Sequence, residues 1–253
     1  MVDRRLRDDQ VDHYAVHGWL LVDDLMDGSV DALQAEVTRI AALGPETGVL
    51  HHRELTDAGP RLARTEDFTP SSPLLSDLLR SGAIPEVAGE LLGEPALLYK
   101  EKINYKAVGG AGFSPHQDKP AYPFVDVVLS VMVAVDDATI DNGCLFVASG
   151  QHHELLIQDD LGCVAAEAAD RLDWEPVELM AGATLFFDAL LPHKSGANRS
   201  THDRRALYPT YNGVSEGDLR DAYYAEKRRA FDEPDDTGRV RLSLIGDFEG
   251  RPA

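Results

Sequence analysis

Apolar residues recur at helical spacing early in the chain. Val30, Leu33, Val37, Ile40 and Leu43 fall on one face of DGSVDALQAEVTRIAALG, and Gly44 supplies a stop. The first forty or so residues accordingly read as helical. Residues 45–73 are rich in Gly, Pro, Thr and Asp and show no period. A long irregular stretch of this kind inside a compact domain is often a lid or a binding loop. A second amphipathic helix is predicted over LLSDLLRSGAIPEVAGELLG, interrupted near Pro85.

From residue 96 to about residue 212 the texture changes. Short strand-like runs (ALLYKEKINYKAV, FVDVVLSVMVAV, CLFVAS, PVELM, ATLFFDAL, RRALYPTYN) alternate with turn-rich segments such as GGAGFSP and PHKSGANRS. That spacing predicts an antiparallel sandwich or barrel. The greasiest run, residues 127–135, is far too short to span a bilayer and reads as a buried strand. Residues 216–231 read as one more helix, with a turn-rich tail behind it. The expected architecture is mainly β with flanking helices, a single domain over 1–253. Residues 1–95 would supply helices and a lid, 96–215 the β core, and 216–253 the last helix and tail.

Charge narrows the function. The chain carries 44 Asp plus Glu against 24 Lys plus Arg, a net charge of -20. Phosphate backbones and anionic membranes need clustered cations, so neither nucleic acid nor a membrane surface is an expected partner. The acidity reads as solubility. Cys144 and Cys163 have no metal spacing and read as small apolar residues in a reducing compartment. The N-terminus has an Arg pair but no apolar run after it, unlike a secretory leader. A cytoplasmic protein acting on a small molecule is the expectation; the sequence does not give its oligomeric state.

The nine histidines hold the candidate chemistry. Three begin an H-x-D/E pattern, at His52, His116 and His152, which by itself is a weak signal, so context must choose. His116 and Asp118 close the Gly-rich segment GGAGFSPHQD. In an extended segment residues i and i+2 share a face, so the two could bind one metal ion. His193, after the run ATLFFDALLP, is the best third ligand, with His202 as its rival. Two His and one carboxylate on one side of a metal form the facial triad of non-haem Fe(II) oxygenases. Such an enzyme needs a two-electron co-substrate. Arg204 has the planar fork to hold the far carboxylate of a 2-oxo acid. Arg199 and Arg205 are rivals, although strand alternation turns Arg205 away from whatever Arg204 faces. His52-Arg53-Glu54 reads as solvated, and His152 and His153 as structural or exposed.

The HQD motif, the Asp141-Asn142-Gly143 turn with its following strand to His152, and His193-x-Ser195-x-x-Asn198-x-Ser200 with Arg204 together resemble the phytanoyl-CoA dioxygenase-like Fe(II)/2-oxoglutarate oxygenases. The resemblance spans roughly residues 98–212. It implies a double-stranded β-helix (jelly-roll, cupin-like) core, iron at His116, Asp118 and His193, and O2 as oxidant. It also implies 2-oxoglutarate at Arg204 with help from Ser195. In KEKINYK, Lys102, Asn104 and Lys106 share one face and Ile103 and Tyr105 the other. The corresponding family strand points polar groups at the co-substrate, which suggests Asn104 and then Lys102. Relatives often carry a Trp where Met132 stands, so Met132 joins Phe113, Gln117 and Tyr122 as candidate substrate-pocket residues. Phe113, Tyr122 and Phe124 are aromatic neighbours of the loop that packing alone could explain.

The implied reaction is hydroxylation of an unactivated C–H bond of a small metabolite or natural-product intermediate, releasing succinate and CO2. Asp118 argues against halogenation, which needs a small residue there. Alternatives are a cupin-like binding module without oxygenase activity, an acyl-CoA oxygenase, or one acting on nucleotides or proteins. The net charge disfavours a CoA ester. The segments KEKINYK, GGAGFSPHQD and YYAEKRRAF are similar to a bacterial subgroup acting on small amine- or phosphonate-bearing metabolites.

Overall fold

The computed structural model describes residues 5–23, 25–26, 29–122, 124–232 and 242–253. Helix α1 (Asp8–His17) ends at Gly18, whose φ of 79° turns the chain into strand β1 (Trp19–Val22). Helix α2 (Val30–Ala41) follows, its start capped by the Ser29 hydroxyl accepting from Ala32 N at 3.3 Å. Next come β2 (Leu50–Thr56), β3 (Gly59–Glu66), α3 (Pro73–Arg80) and α4 (Ala83–Leu92). The β region contains β4 (Ala96–Lys106), β5 (Phe113–His116), β6 (Val128–Ala134) and β7 (Leu145–Val147). After the short helix α5 (Ala166–Ala169) come β8 (Glu175–Val177), β9 (Thr184–Asp188), β10 (His193–Ser195), β11 (Arg204–Gly213) and helix α6 (Arg220–Asp232).

The strands form two antiparallel sheets, a larger one ordered β1-β9-β6-β11-β4-β3-β2 and a smaller one ordered β5-β10-β7-β8. This is the double-stranded β-helix expected from the sequence. The pleat sorts side chains by parity. On the convex face of the larger sheet, Ile103, Val131, Val133, Phe186 and Leu207 pack under α2, α3 and α4 through Leu33, Val37, Leu75, Leu79 and Val87. On the concave face, Met132, Ala134, Leu185, Phe187 and Ala206 pack against Leu145, Val147 and Val177 of the smaller sheet. Toward β4 and β3 that same concave face turns polar, and there the sheets enclose a pocket.

Three expectations need correction. The first forty residues are not all helical: β1 lies between α1 and α2 and pairs with β9, Leu20 opposite Phe186. Residues 45–73 are not irregular, because β2 and β3 form a hairpin that joins the larger sheet beside β4. The hairpin lacked a visible period because its inward positions are polar. His52, Glu54, Arg64 and Glu66 are all buried, so His52-Arg53-Glu54 is solvated only at Arg53. Finally, the break in the second helical stretch falls between α3 and α4 at Ser81-Gly82. Pro85 sits in the first turn of α4, where its missing N–H costs nothing.

Helix α6 closes the hairpin end of the concave face. Its charges are not simply solvated, since Lys227 is 2% exposed and donates to both Glu66 oxygens, at 2.6 and 2.5 Å. Arg64 lies 3.6 Å from the same carboxylate. Burial alone would raise the Glu66 carboxyl, but the Lys227 ammonium and the Arg64 guanidinium outweigh it and hold it well below the usual carboxylate range. Glu66→Gln removes the carboxylate that two buried cations share and is expected to cost about 3–5 kcal/mol at neutral pH. Because the folded-state value is depressed, this stability is present above the ordinary glutamate value of 4.5 and fades as pH falls below it. Thermal melts from pH 7 to 3 should therefore show the gap between wild type and variant closing in acid; a constant gap would contradict the assignment.

Candidate active site

Antiparallel pairing of β5 with β10 sets His116 opposite His193, with ring centroids 4.1 Å apart. Asp118 joins them by a route the sequence did not suggest. The strand ends at His116, and Asp118 has φ -69° and ψ -28° at the start of a 3-10 turn. Its carboxylate reaches the pair through that turn and not through i, i+2 alternation. One ligand atom from each residue lies within 4.8 Å of the others, and all three side chains are buried.

Hydrogen bonds aim these groups. His116 Nδ1 meets the Ser114 carbonyl at 2.7 Å and His193 Nδ1 meets the Leu191 carbonyl at 3.0 Å. An Nδ1–H donated to a carbonyl leaves the Nε2 lone pair free for a metal. Ser130 Oγ donates to Asp118 Oδ2 at 2.5 Å, while Asp118 Oδ1 stands 3.9 Å from His116 Nε2. Burial, with His116 alongside, lowers His193 to about 4, so its ring is neutral near pH 7. Burial would raise Asp118, but the charged form of His193, Lys102 and Lys100 outweigh it and hold the carboxyl below the usual carboxylate range; once His193 is neutral, the two lysines carry that effect. Two imidazoles and one carboxylate are a donor set that fits Fe(II).

Beside these three groups lies a cationic end of the pocket. Arg204 is 1% exposed; its Nη2 donates to the Gly143 carbonyl, and its Nε has no partner among the described residues. Lys106 Nζ donates to Ser195 Oγ at 2.8 Å, to Gly196 O at 2.6 Å and to Gly143 O at 3.2 Å. An unpartnered guanidinium N–H next to a buried ammonium suits a carboxylate. Asn104 and Lys102 line the same pocket, and Asn104 Oδ1 accepts from Arg64 Nε at 3.1 Å. Arg205 turns to the other face and pairs with Asp136 at 2.7 Å; Arg199 and His202 are exposed.

Of the four residues singled out for a substrate pocket, only Phe113 lines this cavity. Gln117 is committed elsewhere: its amide donates to the Glu154 and Leu190 carbonyls and accepts from Leu156 N. Met132 is fully buried between the sheets, its sulfur accepting from Tyr208 Oη at 3.3 Å. Tyr122 is 1% exposed, with its Oη 3.4 Å from Thr210 Oγ1.

Sequence reasoning missed Glu54, Leu242, Asp247 and Phe248, all of which line the pocket. Ser114 N donates to Asp247 O at 2.7 Å and Glu249 N to Gly112 O at 3.1 Å, so the tail runs beside β5 as a wall. Asp247 Oδ2 comes within 3.3 Å of His116 Nε2, and Phe248 packs on Phe113 at 5.3 Å. No local pattern marks these residues, since tertiary packing alone brings them in. Lys106 had a signal, its parity with Lys102 and Asn104.

The phytanoyl-CoA dioxygenase family model matches residues 14–206. The chain belongs to the phytanoyl-CoA dioxygenase family. Its reaction class is that of the non-haem iron, 2-oxoglutarate-dependent oxygenases. Methylphosphonate hydroxylase of Gimesia maris is 46% identical over 253 residues, covering 98% of this chain and 97% of that one. A 2-aminoethylphosphonate dioxygenase from an uncultured bacterium is 41% identical over 180 residues, 70% of this chain and 69% of its own. EctD from S. alaskensis, crystallised with 2-oxoglutarate and 5-hydroxyectoine, shares the fold with TM-score 0.73 at 24% identity, covering 85% of this chain and 79% of that one.

Within this family member, Gly143 couples the Asp-Asn-Gly turn to the cationic end. Its φ is 81°, and a Cβ there would lie 2.4 Å from Gly196 O and 2.8 Å from Lys106 Nζ. Gly143→Ala should displace the carbonyl that holds Lys106 and Arg204. We expect the KM for 2-oxoglutarate to rise roughly tenfold or more, the equivalent of one charge-assisted hydrogen bond. Steady-state kinetics with varied 2-oxoglutarate check this, and an unchanged KM would contradict it.

Proposed function

We propose that the protein is an Fe(II)- and 2-oxoglutarate-dependent hydroxylase of a small phosphonate. The observation that carries the chemistry is the juxtaposition of His116, Asp118 and His193 with the buried, partly unpartnered guanidinium of Arg204. A binding module that holds only a metal has no need of the second feature. The substrate class is supported by the 46% identity, over nearly the whole chain, to a methylphosphonate hydroxylase.

In this reading His116 Nε2, His193 Nε2 and Asp118 Oδ1 hold the metal, and Ser130 keeps Asp118 turned. Arg204 and Lys106 orient the far carboxylate of 2-oxoglutarate, with Ser195 and Asn104 beside them. When bound, iron and 2-oxoglutarate together supply O2 activation. The balance is one C–H bond, O2 and 2-oxoglutarate in, and one C–OH bond, succinate and CO2 out. Phe113, Phe248 and Leu242 keep bulk water from the reacting centre. Asp118 fills the position a halide would need, which favours hydroxylation. The cavity is about 30 Å³ and is walled on one side by Leu242, Asp247 and Phe248 of the tail.

The acidic surface favours a small-molecule partner over nucleic acid or a membrane surface. No described helix is long and apolar enough to cross a membrane. A cytoplasmic setting, where Fe(II) stays reduced, agrees with the two buried free cysteines.

The test is succinate release from protein, Fe(II), 2-oxoglutarate and O2 with a panel of methylphosphonate, 2-aminoethylphosphonate, amino acids and CoA thioesters. A phosphonate should stimulate release with formation of its hydroxylated product. Asp118→Ala should reduce product by at least about 100-fold, beyond the 10- to 100-fold typical of losing a group that only orients a ligand. Stimulation by CoA thioesters alone would overturn the reading.

A further inference from the structure

Strand β4 places Lys100, Lys102, Asn104 and Lys106 in one row on the concave face. Arg204 pairs with Lys106 in the register and Thr210 with Lys100. The cation pair proposed for 2-oxoglutarate therefore stands at one end of the row. Lys100 stands at the other, about 20 Å away along the strand at ~3.3 Å per residue. The Lys100 end also carries the metal carboxylate's support. Thr210 lies opposite Ser130 on β6, and Ser130 donates to Asp118.

Lys100 is 5% exposed, yet its ammonium makes no hydrogen bond or ion pair among the described residues. It sits over the Tyr122 ring at 4.2 Å and nearer than 6 Å to the Tyr223 ring, at 5.6 Å. Lys102 Nζ likewise has only an aromatic face, Tyr208 at 5.3 Å. Of their carboxylate neighbours, Glu66 is committed to Lys227, and Asp118 to Ser130 and the histidines; Asp247, beside Lys102, has one oxygen on His116 and the other without a partner among the described residues. A chain with 44 acidic residues is not short of counter-charges. Holding the buried Lys100 beside the half-buried Lys102 with no carboxylate hydrogen-bonded to either is costly, and burial lowers the pKa of both, unless a ligand brings the charge. Tyr122 Oη and Thr210 Oγ1, 3.4 Å apart, add two hydroxyl donors at the same place.

We propose that Lys102, which lines the cavity, and Lys100 behind it, with the buried hydroxyls of Tyr122 and Thr210 next to Lys100, form the subsite that receives the tetrahedral phosphonate head of the substrate. This rests on the phosphonate reading above and names the groups that would read it. Two ammoniums match a dianion, where a carboxylate needs one, and the two hydroxyls can serve a third oxygen. Lys100 sets the preference for a dianionic head, while Lys102 lies between the two anions. Inorganic phosphate shares that chemistry and should compete without being turned over.

The experiment pairs two readouts on wild type, Lys100→Met and Thr210→Val. Under argon, with Fe(II) and 2-oxoglutarate bound, methylphosphonate is titrated against the visible absorption of the chelate. In air, KM is measured for both substrates. Lys100→Met should weaken methylphosphonate binding about 10- to 100-fold, as for losing a charged hydrogen bond, and abolish competition by phosphate. Its half-saturation by 2-oxoglutarate should stay within about twofold, and its thermal midpoint should not fall, since an uncompensated buried charge is removed. Thr210→Val should weaken methylphosphonate binding several-fold and stands as the test if Lys100→Met does not fold. Wild-type affinity for methylphosphonate in either folded variant overturns the subsite. A wild type that binds and hydroxylates only non-phosphonates overturns the functional reading, and the subsite with it.

Discussion

A buried positive charge must be met by a negative one, and this constraint organises the molecule. Arg64, Lys100, Lys102, Lys106, Arg204 and Lys227 all stand on the concave face or against it. The chain answers part of that charge itself, through Glu66, which Lys227 and Arg64 share. The rest is left for ligands. Among the described residues, Lys106 and Arg204 hydrogen-bond to carbonyls and one hydroxyl, and Lys100 and Lys102 meet aromatic faces. An apolar protein interior amplifies such unmet charge, so under the proposed reading the pocket would favour anions although the whole molecule is strongly acidic.

The pleat makes this affordable. One parity of β4, β6 and β11 is spent on packing under three helices, where Ile103, Val133 and Leu207 are fully buried. The same strands then present the other parity to the pocket with their backbones fixed. The smaller sheet contributes His116 and His193 from paired strands, so the two imidazoles inherit strand geometry. Asp118, the tail residues and α6 come from outside the strands and close the site from three sides.

Legibility in the sequence followed from how local each signal was. His116, Asp118, His193 and Arg204 were legible because short motifs deliver them, and the strand parity of KEKINYK placed Lys102, Asn104 and Lys106 on one face. The strands of the core were legible from their apolar runs. The β2–β3 hairpin was not, because its inward residues are His52, Glu54, Arg64 and Glu66 and period-2 patterning needs an apolar half. Nor was the tail, since Asp247 reaches His116 across more than a hundred residues of chain with no periodicity to mark it. Gln117 and Met132 sit next to site residues in sequence, yet their side chains serve backbone carbonyls and the inter-sheet core.

The central claim is that the concave face pairs a metal point with cations that await an anionic co-substrate. It is tested most directly by titrating 2-oxoglutarate into the Fe(II)-loaded protein under argon and following the visible absorption of the chelate. The account predicts a band in wild type, none in His116→Ala, and a half-saturation about 10- to 100-fold higher in Arg204→Met. An Arg204→Met protein that titrates like wild type, or a wild type that binds Fe(II) but gives no band, would contradict it.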